Sequence, residues 1–116
     1  MKKNVIRKLD EIQEKLYAAS DKIWNEPEIA FQEYKSMDVL CKLLEEEGFS
    51  IEKNLVGIPT AFRAVYGSGK PEIAFLGEFD ALDGMSQEAG CTQKKEIKNQ
   101  QFGHGCGHHA LGVGTA

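Results

Sequence analysis

The order of elements along this chain predicts an α/β fold. Three observations carry that expectation. An amphipathic helical period opens the chain, its rhythm then shifts to short β-type runs, and a continuous apolar run is followed, after a polar loop, by a glycine-opened helix. The length of 116 residues suits one ordinary domain or a piece of a larger one, and 41% apolar with 28% charged residues is globular composition.

Val5, Leu9, Ile12, Leu16, Ala19 and Ile23 recur every three or four positions with Lys, Glu and Gln between them. That spacing predicts a helix of roughly five turns. It should end near Trp24–Asn25, because Glu26 precedes Pro27 and is pushed out of the helical region. Beyond the "NEPEIAFQEYKS" linker, Met37, Leu40, Cys41 and Leu44 line one face of a second helix, with Gly48 placed to stop it. Glu45-Glu46-Glu47 falls at its end and reads as a solvated face.

"FSIEKN" alternates, and "TAFRAVYG" is rich in β-formers before the turn signal Gly67-Ser68-Gly69. The third run, "EIAFLGEF", is apolar without interruption from Ile73 to Leu76, the pattern of a strand buried on both faces of a sheet. Glu78 and Asp80 share one side at its C-terminal end, the edge where α/β sheets place ligands. Asp80 could equally open a turn. Ser86 to Gln101 is a long polar loop, a kind of segment that is often functional.

A net charge of −4 and interleaved basic residues argue against nucleic acid as the partner. No apolar run resembles a signal peptide or membrane anchor, so the expected compartment is the cytoplasm. There thiols stay reduced, and Cys41, Cys91 and Cys106 have no disulfide-framework spacing.

The chemistry concentrates in "GHGCGHHALGVG", residues 103–114, which holds all three histidines. Incidental histidines in a glycine-rich turn would be the plainest account, but three in one segment argue against it. Gly105-Cys106-Gly107-His108-His109-Ala110 fits G-x-G-x-x-A formally, yet a polar loop rather than a strand runs into it, so a dinucleotide cradle is a poor match. A Cys–His thiol hydrolase would use Cys106 at a helix N-terminus with His104 or His108 as base, neither well placed without a sharp bend. In the third reading Gly107 lets Cys106 and His108 turn toward one ion. Thiolate and imidazole together suit zinc-like cations, in an open site completed from elsewhere.

"PEIAFLGEFDALDG", the polar loop and "GHGCGHHALGVG" together resemble the di-metal amidohydrolase and peptidase family of aminoacylases, carboxypeptidase G and indole-acetyl-amino-acid hydrolases. Within it the aminobenzoyl-glutamate hydrolase-like branch is the most similar, and "WNEPEIAFQEYKS" extends the likeness back to Trp24. The resemblance implies that Cys106 and His108 are metal ligands. It also implies that Asp80 orients a metal-bound histidine or supports the catalytic base. Glu78 stands where other branches have a ligand histidine and is not assigned as a ligand; the roles of His104 and His109 stay open.

The implied chemistry is amide hydrolysis of N-acyl amino acids or small peptides. It depends on two divalent ions, zinc or manganese, and on a glutamate from a Glu-Glu pair downstream of the cysteine motif. The implied architecture is the N-terminal part of a zinc-peptidase-like catalytic domain, residues 1–116, with two helices, about three strands and the start of a further helix. The rest of the sheet, the remaining ligands and the lid or dimerisation domain are not among these residues. A homodimer is the implied full-length form. The isolated chain is accordingly expected to be inactive, a non-catalytic portion or the partner of a second polypeptide.

Overall fold

The structure, a computed structural model, describes residues 1–116. Helix α1 runs Lys2–Asn25 and α2 Tyr34–Glu46; strands β1 (Ser50–Lys53) and β2 (Phe62–Val65) follow, joined through a 3-10 turn at Leu55–Gly57. Two-residue strands β3 (Leu82–Asp83) and β4 (Phe102–Gly103) precede α3, His108–Thr115. Helices and strands are thus mixed as expected for α/β, but both sheets are two-stranded and antiparallel.

α1 ends at Asn25, as the Glu26-Pro27 pair requires. α2 ends in a Schellman motif: Phe49 N–H donates to the Leu44 carbonyl and Gly48 N–H to that of Glu45, with Gly48 at φ 90°. Its N-terminus is satisfied from outside the helix. The Glu28 carboxylate accepts from the Ser36 N–H and hydroxyl, both at 2.8 Å, and from the Lys35 N–H at 3.1 Å. These are charge-assisted bonds to donors that lack helical partners. Glu46 and Glu47 do not face solvent alone: both pair with Lys15, and Glu47 also with Lys8, tying the end of α2 to α1.

The core is small. Ala19 and Ile23 of α1, Leu40 and Leu43 of α2 and Val113 of α3 form it, with Leu16, Val39, Phe62 and Phe79 packed at its margin. β1 and β2 pair from Ser50↔Val65 to Lys53↔Phe62, with a Glu52–Arg63 ion pair across the ladder. The N-terminal half of α1 projects beyond this core, leaving Val5, Ile6 and Leu9 exposed.

One expectation fails. The run Ile73–Leu76 is not a buried strand: residues 72–80 join no ladder, and Ile73, Phe75 and Leu76 are 75%, 81% and 90% exposed. A strand of that kind needs hydrogen-bonding neighbours on both edges. Here β1 and β2 pair only with each other, and the nearby parallel contact is the isolated bridge Ile29↔Ala81. The consequence is an open molecule. Its radius of gyration is 15.5 Å, against about 13 Å for a compact chain of this length. Its accessible surface is 8476 Å², against roughly 6,300 Å² for a compact monomer of this mass.

Candidate metal centre

The site is assembled by short connections around Asp80. Ala81 N–H donates to the Glu28 carbonyl at 2.7 Å, so the residue whose carboxylate caps α2 also fixes the backbone next to Asp80. The chain then leaves through β3 and returns through β4, paired Leu82↔Gly103 and Asp83↔Phe102. Gly103 cannot be another residue without displacement, because a Cβ there would meet the Met85 carbonyl. Between the two strands the polar loop folds on itself. The Ser86 hydroxyl accepts from Ile97 N–H, and the Gln87 side chain bonds Gln93 and Lys95.

After β4 a turn closes from Gly107 N–H to the His104 carbonyl, and Gly107, at φ 76°, opens α3. A left-handed conformation there suits glycine. α3 lies against residues 77–79, where a Cβ on Gly112 would be 3.0 Å from the Phe79 Cβ and 3.1 Å from the Glu78 carbonyl. This close approach brings the first residue of α3 over the Glu78 and Asp80 carboxylates.

His108 Nδ1 lies 2.7 Å from Asp80 Oδ1, and His108 Nε2 lies 3.2 Å from Glu78 Oε2. One ligand atom from each of Glu78, Asp80 and His108 falls within 4.8 Å of the others, a grouping able to hold a metal ion. The chemistry of the donor set fits a cation. A carboxylate only accepts, so Nδ1 carries the proton donated to Asp80, which leaves Nε2 facing the Glu78 carboxylate. Two electron-pair donors pointing at each other are reconciled by a cation between them or by a second ring proton. Asp80 and His108 are partly buried and Glu78 is the exposed member.

Of the residues singled out by sequence, Asp80 and His108 are brought together and Cys106 is not. Cys106 is exposed in the turn and stands outside the cluster. Its thiol makes no hydrogen bond to an imidazole: His108 is engaged by Asp80, and His104 by the Ile23 carbonyl at 3.1 Å. That arrangement disfavours a Cys–His nucleophile. Glu78, set aside as a ligand on sequence, enters the cluster instead. Its alternation with Asp80 was the signal.

His104 is buried, and burial, partly offset by the Ile23 hydrogen bond, pulls its pKa below the usual imidazole value. His109 packs edge-on against Trp24, with ring centroids 4.8 Å apart, and its pKa is also lowered by burial. The Nδ1 atoms of both rings are buried without partners. Cys41 lies in the core, where burial raises its thiol pKa.

No protein-family model matches the chain. It is 50% identical over 94 residues to one of the subunits of p-aminobenzoyl-glutamate hydrolase from Escherichia coli strain K12, a match covering 81% of this chain and 20% of that protein. It is 30% identical over 128 aligned positions to Xaa-Arg dipeptidase of Mus musculus, covering 100% of this chain and 26% of the relative. Thermostable carboxypeptidase 2 of Saccharolobus solfataricus is 28% identical over 100 residues, 84% of this chain and 24% of that protein. The chain therefore spans about a fifth to a quarter of the length of these relatives.

Proposed function

Since this chain belongs by sequence to the amidohydrolase and peptidase family, we propose that it supplies part of a metal-dependent site for hydrolysing amide bonds. The substrates proposed are N-acyl amino acids or small peptides, with aminobenzoyl-glutamate-type amides first among them. One observation carries the reading: the imidazole of His108, held through Nδ1 by Asp80, presents Nε2 toward a second carboxylate. A carboxylate behind a ligand imidazole fixes its tautomer and raises its basicity.

In this reading His108 and Cys106 are ligands and Asp80 is the orienting carboxylate, with Glu78 close enough to neutralise charge at the same point. Zinc or manganese bound there would polarise the scissile carbonyl and acidify a water. The residues of this chain do the rest of what can be assigned to them. Asp80 keeps the proton on Nδ1, and Gly112 lets α3 sit close enough for that bond to form. Cys106 joins the site by rotation of its exposed side chain on a Gly105–Gly107 backbone that keeps its shape.

Among these 116 residues the structure brings together one donor cluster, Glu78, Asp80 and His108, whereas the proposed chemistry uses two ions. We therefore propose that the chain alone binds metal but does not hydrolyse amides, and that activity, like a homodimer, belongs to a longer assembly. The exposed Ile73–Leu76 run supports this, since it is an apolar segment without strand neighbours. No helix is long and apolar enough to cross a membrane, and the cytoplasm is the proposed compartment. The test is hydrolysis of p-aminobenzoyl-glutamate by the purified chain with added Zn²⁺ or Mn²⁺. No chelator-sensitive turnover is expected, and any such turnover would overturn the partial-site reading.

A further inference from the structure

His104 and Trp24 take no part in the cluster, yet they fasten the turn that carries the proposed ligands. The last four carbonyls of α1 find no N–H donor within the helix. The one at Ile23 receives a hydrogen bond from His104 Nε2, 81 residues away in sequence. His104 is 5% exposed, its ring stacks on Trp24 at 29° and 6.3 Å, and it lies 5.1 Å from the ring of His109. His109 in turn meets Trp24 at 65°. The two histidines flanking the Gly105-Cys106-Gly107-His108 stretch are thus both seated on the end of α1.

We propose that His104 is a positioning residue that, with Trp24 as its platform, holds the Cys106–His108 turn in its cation-binding conformation. The inference rests on the proposed ligand roles of Cys106 and His108. Two glycines in a four-residue stretch leave it many conformations, and glycine loses the most freedom when ordered. An anchor at each end removes most of that freedom before a cation arrives. His104 acts on both sides of the anchor, because its carbonyl also accepts the Gly107 N–H that closes the turn. The side chain fixes the turn to α1, and the backbone fixes its shape.

The test is a Co²⁺ titration of the full 116-residue chain, following the thiolate-to-Co²⁺ charge-transfer band that Cys106 ligation produces, with far-ultraviolet circular dichroism as the folding control. His104→Gln keeps an amide N–H able to reach the Ile23 carbonyl, whereas His104→Asn is one methylene too short. Apparent affinity falls with the fraction of competent turn, so loss of the anchor to about a tenth occupancy weakens binding about tenfold. The expected result is Co²⁺ affinity at least tenfold weaker in His104→Asn, near-native affinity in His104→Gln, and the same band shape in both at saturation. Trp24→Leu, which leaves the hydrogen bond in place, weakens binding in the same direction and serves if His104→Asn does not fold. Native affinity in whichever of those two variants folds overturns the positioning role. Absence of the charge-transfer band in the unsubstituted chain overturns the ligand assignment itself, a different failure.

Discussion

Gly112 controls how closely α3 approaches the carboxylates, and replacing it with alanine tests that claim quantitatively. The new Cβ would stand 3.0 Å from the Phe79 Cβ, 3.1 Å from the Glu78 carbonyl and 3.4 Å from Leu40 Cδ1. The first two neighbours cannot swing away, so the helix must move by a few tenths of an ångström. Overpacking of this kind costs about 1–3 kcal/mol. Alanine also favours the helix over glycine by about 0.5–1 kcal/mol, so the net loss is roughly 0–2.5 kcal/mol. Gly114, two residues on in the same helix, provides the matched control, since a Cβ there meets nothing within 4 Å. Gly114→Ala should therefore be neutral or stabilising. Urea unfolding followed by circular dichroism should separate the two variants by about 1–3 kcal/mol, the overpacking alone. The shift in Gly112→Ala also lengthens the His108–Asp80 bond, now 2.7 Å, and so weakens metal binding. Equal stability of the two variants would refute the close-approach argument.

Three further outcomes follow from the same structure. Glu28→Ala removes three hydrogen bonds at the start of α2; a cap loss of about 1–2 kcal/mol is expected in urea unfolding, and an unchanged midpoint would show that the cap contributes nothing. Folding stability should decline as pH falls below about 6.5, because His104 and His109 have lowered pKa values in the folded chain, burial being the main cause. Above that pH both states hold neutral rings; below it the unfolded chain takes up protons first, and the loss is complete once pH has passed the folded values. His104→Gln/His109→Gln should flatten that part of the stability–pH curve, and an unaltered slope would contradict the assignment. Phe75→Ser should shift stability by no more than about 0.5 kcal/mol because the ring is 81% exposed, whereas Leu40→Ala in the core should cost about 2–5 kcal/mol; a large loss for Phe75→Ser would mean that the run is buried in solution.

The helices were legible because their signals are local. The period from Val5 to Ile23, the Glu26-Pro27 stop and the glycine at 48 each act within a few residues, and α1 and α2 end where they direct. The two runs that form β1 and β2 were legible for the same reason, but their antiparallel pairing was not read from the sequence. Ile73–Leu76 was misread because a strand is defined by its neighbours, and composition cannot say whether they are present. Within the site, the alternation of Glu78 and Asp80 indicated their shared side, and the structure sets both against His108. The seating of His104 on Ile23 and the capping of α2 by Glu28 depend on contacts between distant segments or across a turn. Neither leaves a periodic trace. Cys106 had the strongest chemical signal of all, yet the turn directs it to solvent. Flexible glycines on both sides explain why spacing alone did not fix its direction.

The central claim is that the cysteine–histidine segment and the Glu78–Asp80 stretch form part of one metal site. Zn²⁺ titration calorimetry on the purified chain, beside Cys106→Ser, His108→Ala and Asp80→Asn, tests it most directly. Saturable binding is expected, abolished or severely weakened by the first two substitutions. Asp80→Asn should weaken it about 10–100-fold, the usual cost of losing a carboxylate behind a ligand imidazole. Tight one-to-one binding that survives Cys106→Ser and His108→Ala unchanged would contradict the claim.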